Sequence, residues 1–161
     1  MKKFVTAVVS VLITGGTALA GELQERNISL ATANEIVSQA AKACTAKGYN
    51  VSVAVVDRAG VLRAMVRTDR AGPHTVEAAR AKAFTAASSR VATGTMAENI
   101  QKNPAAAQMA AIPGFLVLAG GVPIKIGDET IGAVGIGGAP GGNIDEACAL
   151  EALDALKDKL K

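Results

Sequence analysis

Apolar residues recur at helical spacing early in the chain: Leu30, Ala33, Ile36, Val37, Ala40, Ala41 and Cys44 fall on one face. Ser29 is placed to cap that helix and Gly48 to end it. The period then shortens. Val51 to Val56 is a β-branched run, Arg58-Ala59-Gly60 a turn and Val61 to Val66 a second strand, which together predict a hairpin. Gly72-Pro73 breaks the pattern, and proline suits the first turn of the helix predicted from Thr75 to Ser89. In that helix Val76, Ala79, Ala83 and Ala86 face one way, whereas Arg80 and Lys82 point elsewhere and can pair with Glu77. Thr95 and Glu98 have capping-box spacing for a short helix that ends before Pro104.

The second half reads as three short strands, Phe115 to Leu118, Val122 to Ile126 and Thr130 to Ile136, separated by glycine-bearing turns. A loop from Gly137 to Gly142 leads to Asn143, which with Glu146 has the spacing to cap a last helix reaching about Lys159. Connections between neighbouring strands are mostly too short for parallel crossovers. The expectation is one α/β (α+β) domain in which helices cover a five-stranded antiparallel sheet, with the first and last helices side by side.

Composition adds a compartment. The chain has 161 residues, 50% of them hydrophobic and 19% charged, with a formal net charge of +3. Residues 1–20 hold Lys2 and Lys3, an apolar run from Phe4 to Ile13, and small residues at Ala18 and Ala20, the tripartite form of a secretory signal peptide. The apolar run is about half the ~20 residues that a spanning helix needs. Cleavage after Ala20 leaves a domain over 21–161 with 15 Lys+Arg against 14 Asp+Glu. That near-neutral balance excludes a nucleic-acid binder driven by counterion release, and the scarcity of aromatics, with only Tyr49, Phe84 and Phe115 and no Trp after residue 20, excludes aromatic stacking platforms. No other segment is long and apolar enough to span a bilayer, so the mature protein is expected to be periplasmic or secreted. An oxidising compartment favours a Cys44–Cys148 disulfide; two separate buried thiols are the alternative.

Few residues can carry chemistry. His74, the single histidine, stands at the Gly72-Pro73-His74-Thr75 corner beside a helix start, where it can ligate a metal or haem iron, act as a base, or simply line the turn. Asp57, Arg67, Asp69 and Arg70 flank the hairpin and the same corner; they are either solvated charges or a guanidinium clamp for carboxylates such as haem propionates or a small organic acid. Gly132 and Gly135 interrupt a strand, a sign that another backbone or a ligand comes close. Pro140 breaks the only trace of a dinucleotide fingerprint, and no Walker loop is present. Met65, Met96 and Met109 read as core filler or soft ligands.

Val53-Ala54-Val55-Val56-Asp57, Arg67, Asp69, Gly72-Pro73-His74-Thr75, Gly120-Gly121-Val122-Pro123-Ile124 and Gly132-Ala133-Val134-Gly135-Ile136-Gly137-Gly138 together resemble the GlcG/HbpS-like family of haem-degrading domains. The resemblance implies a profilin-like three-layer α/β/α domain that assembles as homo-oligomers. It also implies haem or a similar tetrapyrrole as ligand, held near His74, with Arg67, Asp69, Arg70 and Thr75 around it and Gly72, Gly121, Gly135 and Gly138 as pocket backbone. A small hydroxy- or oxo-acid, bound or converted by the same residues, is the alternative. The sequence departs from the family pattern at Arg70 and Gly137, both beside the expected pocket.

Overall fold

A computed structural model describes residues 21 and 23–161; the predicted signal segment 1–20 lies outside them. Helix α1 spans Leu30–Thr45 and begins as expected, with the Thr32 N–H donating to the Ser29 hydroxyl at 3.1 Å. It ends in a reversal at Gly48, whose φ of 82° favours glycine. Strands β1 (Ser52–Asp57) and β2 (Leu62–Arg67) form the hairpin. Then come α2 (His74–Ser89), α3 (Thr93–Lys102), a 3-10 helix (Pro104–Ala111), β3 (Gly121–Ile126), β4 (Glu129–Gly137) and α4 (Gly142–Ala155), followed by a short 3-10 turn at Lys157–Lys159. The helix expected to reach Lys159 therefore ends at Ala155.

The sheet is antiparallel in the order β2-β1-β4-β3 and has four strands among the described residues, not the expected five. Phe115 to Leu118 stays out because its polar backbone is claimed elsewhere. Leu116 N–H donates to the Thr85 hydroxyl at 2.8 Å, and the Leu118 carbonyl accepts from the Thr93 hydroxyl at 2.8 Å. Two capping expectations also change. Helix α3 starts at Thr93 behind Ala92, so Thr95 lies inside it. Helix α4 starts behind Gly141, and Glu146 turns away from its own cap.

The central strand β1 is buried along its whole length because helices cover both faces. Its alternation sorts residue size. Val53 and Val55, with Val134 and Ile136 of β4, face α1 and α4 in a core that also holds Ile36 and Val37. Ala54 and Val56, with Ala133, face α2 through Ala79, Ala83, Ala86 and Ala87. The first layer is filled by branched side chains. The second is thin, and α2 lies almost on the sheet backbone. Where a Cβ at Gly135 would project, the Ala79 carbonyl and the Ala83 N–H already stand, and at Gly121 the Lys82 carbonyl does the same. The close backbone foreseen at Gly135 is the protein's own; at Gly132 it is the Val56 carbonyl.

Cys44 of α1 and Cys148 of α4 are fully buried and joined in a disulfide, with their Cα atoms 5.5 Å apart. No helix among the described residues is long and apolar enough to cross a membrane.

Candidate functional site

The register gathers most of the candidate residues at one end of the sheet. Ser52 of β1 pairs with Arg67 of β2 on one side and with Gly137 of β4 on the other. The segment 68–73 leaves β2 at this end and delivers His74 as the first residue of α2. Gly138 and the start of α4 emerge beside it; Gly138 has φ 135°, and a Cβ there would meet the Asn50 carbonyl. Asp57 does not belong here. It closes the hairpin at the opposite end, accepting the Ala59 and Val61 N–H groups at 3.0 and 2.9 Å.

Each predicted residue then receives a role from its contacts. His74 is exposed, and its ring forms no hydrogen bond among the described residues. The ring lies back over Gly72, where a Cβ would stand 2.8 Å from its Cε1, so glycine makes room for the imidazole. Thr75 is buried and structural: its hydroxyl donates to the Gly72 carbonyl at 2.6 Å and therefore accepts from Ser52, whose hydroxyl is 2.7 Å away. Arg67 folds inward along its own turn, donating from Nε and Nη2 to the Ala71 carbonyl at 2.9 and 2.6 Å. Its guanidinium braces the corner, and the residue stays exposed. Arg70 and Asp69 remain exposed, with no ion pair between them or to others among the described residues. They line an open cleft of about 510 Å³ together with Thr45, Tyr49, Asn50 and Thr68. His74 does not line that cleft.

Behind the corner lies a polar cluster that sequence spacing did not reveal. Lys82 does not pair with Glu77, which holds Arg80 at 3.0 Å instead. Its side chain is 2% exposed and passes beneath Gly120 to donate from Nζ to Asp145 Oδ2 at 2.9 Å and to the Ile136 carbonyl at 2.8 Å. Asp145, 3% exposed, also accepts the Ala139 N–H at 3.0 Å and the Gly138 N–H. Burial pushes its carboxyl above the usual carboxylate value, against the lowering effects of Lys82 and the two backbone donors. Next along α4, Glu146 Oε2 accepts the N–H groups of Gly94 and Gly120 at 3.2 and 3.1 Å. Thr93 accepts the Gly121 N–H at 2.8 Å. The cluster ties α2, α3, α4 and the loop before β3 into one unit. A lysine on an otherwise alanine-lined helix face was the available signal, but its partner lies 63 residues away.

This architecture matches known proteins. A family model described as "Haem degrading protein HbpS-like" covers residues 28–154. The chain belongs to the HbpS-like family. It is 32% identical to Protein GlcG of Escherichia coli over 109 residues, 68% of this chain and 80% of GlcG. A double mutant of HbpS from Streptomyces reticuli superposes with a TM-score of 0.78 at 34% identity, over 94% of this chain and 99% of that one. Klebsiella pneumoniae protein ORFY superposes with a TM-score of 0.80 at 26% identity, over 86% and 97% of the two chains. The mixed α/β fold with its antiparallel sheet is thus that of the family, with four strands in the sheet here.

Proposed function

We propose that this HbpS-like protein is an exported haem-binding protein that holds the tetrapyrrole on the outside of the corner around His74. The carrying observation is an exposed imidazole with no hydrogen-bond partner among the described residues, four residues along the same turn from the exposed Arg70, in a chain matched by a haem-degrading family. That donor set fits haem: the imidazole suits the iron, and a guanidinium suits a propionate. When bound, haem supplies the redox chemistry through its iron. The chain's part is to hold it, with His74 placed by Gly72 and the turn fixed by Arg67 and Thr75. The corner offers polar groups but little apolar wall. In this reading the protein is a homo-oligomer, in which a second copy covers the other face of the ring. The buried Cys44–Cys148 bridge supports a periplasmic or secreted location.

Titrating hemin into the mature, oxidised protein is expected to give a saturable Soret band that shifts in His74→Ala and weakens several-fold in Arg70→Ala. A parent protein whose spectrum equals free hemin plus apoprotein removes the proposal. The polar cleft containing Asp69 and Arg70 favours a second reading, a small hydroxy- or oxo-acid as ligand. Calorimetric binding of malate, abolished by Arg70→Ala without any Soret response in the parent, selects that reading instead.

A further inference from the structure

A second cavity lies away from the corner, where the C-terminal turn of α2, α3 and the 3-10 helix meet. Its volume is about 230 Å³, and its walls are Val91, Met96, Ile100, Ala106 and Met109, with Ser89 and Asn99 adding the polar groups. Among the described residues no charged side chain lines it. Desolvating a charged ligand there would be uncompensated, so the lining selects neutral molecules. An enclosed dry apolar cavity of about 150 Å³ holds benzene; this one opens to solvent beside the exposed Val91 and Met109, and its volume suits one ring or two fused rings. Two thioethers facing one space favour aromatic guests, because sulfur packs well against ring edges and methionine adapts to shape. Ser89 spends its proton on the Thr85 carbonyl at 2.7 Å and accepts the Val91 N–H at 3.4 Å, which leaves one lone pair of its oxygen to accept from a ligand. The Asn99 side-chain amide has no partner among the described residues and stands at the same rim. The covering 3-10 helix runs for eight residues, none of them buried. Such runs beyond three or four residues are uncommon, and this one has little packing to lose if it shifts around a guest.

We propose that this cavity is a binding site for small neutral aromatic molecules that carry one N–H or O–H donor, separate from the haem site. The donor meets Ser89 and the ring lies between Met96 and Met109. Indole is a suitable probe because the chain has no Trp and its single Tyr, Tyr49, lines a different cleft. In the mature, oxidised protein, indole emission is expected to shift to the blue and saturate. Ala106→Phe fills the cavity and should weaken binding at least about tenfold, a loss of about 1.4 kcal/mol, while the hemin response stays that of the parent. Met96→Leu with Met109→Leu keeps the volume and removes the sulfurs; it should weaken indole several-fold. That pair decides the matter if Ala106→Phe lowers the urea midpoint too far to be tested. The proposal is overturned if indole does not saturate in the millimolar range, or if the folded variants bind it as the parent does. Loss of the hemin response in Ala106→Phe also overturns it, because the cavity would then be part of the haem site.

Discussion

Lys82→Met tests whether the buried ion pair joins the two helical layers. The substitution keeps the apolar stem and removes the ammonium. Asp145 is then left charged and 3% exposed, with only the Ala139 and Gly138 N–H groups facing it, and the Ile136 carbonyl loses its donor. Breaking a buried pair from one side costs about 3–5 kcal/mol, because the surviving charge stays desolvated. Asp145→Asn should cost about the same from the other side. The double variant Lys82→Met/Asp145→Asn has no buried charge at this site, and the Asn carbonyl still accepts from Ala139. Its main loss is the orphaned Ile136 carbonyl, about 1–3 kcal/mol. The double variant is therefore expected to be more stable than either single one. Urea unfolding of the mature, oxidised protein measures this as a midpoint shift at constant slope. Equal and additive losses, with the double variant the least stable, would refute the reasoning.

The same variant has a pH signature. Burial already holds the Asp145 carboxyl above its usual value of 3.8, and removing Lys82 takes away the largest opposing effect. The folded carboxyl then binds its proton at a higher pH than the unfolded one. Stability from this group therefore rises as pH falls from neutral through the raised folded value, and levels off below 3.8, where both states are protonated. The deficit of Lys82→Met at pH 7 should shrink at pH 5. A deficit that grows on acidification contradicts the assignment.

Two further outcomes follow from the packing. Replacing Cys44 and Cys148 together by Ala releases a crosslink across 104 residues, which the chain-entropy model values at about 4–5 kcal/mol; a loss below about 1 kcal/mol in urea unfolding contradicts that model here. Gly135→Ala sets a methyl against the Ala79 carbonyl and the Ala83 N–H, so α2 must lift from the sheet at about 1–3 kcal/mol, with faster amide exchange in β4 as the local readout and an unchanged exchange pattern as the refutation.

The fold was legible where one residue type does one job. Ser29 and Gly48 bound α1, the Val51 to Val56 run marks the central strand, and Gly72-Pro73 fixes the start of α2 to within a residue. Phe115 to Leu118 misled because a short apolar run has the same appearance whether its backbone meets a strand or hydroxyls such as those of Thr85 and Thr93. Asn143 and Glu146 misled in the same way: capping-box spacing is local, and Glu146 spends its carboxylate on Gly94 and Gly120. At the corner, spacing brought together the residues around Arg67 and His74 but could not assign their hydrogen-bond partners. Arg67 and Arg70 look alike in sequence, yet one is anchored to the Ala71 carbonyl and the other has no ion pair among the described residues.

That difference decides what this end of the sheet can hold. Its interior is full: α2 presses on Gly121 and Gly135, while Lys82 and Asp145 occupy the space beneath Gly120. A planar ligand the size of a tetrapyrrole has no route inward past that ion pair. In the proposed function it lies across the outer surface, where His74 and Arg70 stand exposed on a turn held by hydrogen bonds of Arg67, Thr75 and Ser52. A ligand bound on one outer face leaves its other face in water, and an apolar ring gains little from half burial. Covering the second face from another copy of the chain supplies the missing apolar contact, so in the proposed function haem affinity and self-association are linked, each strengthening the other by mass action.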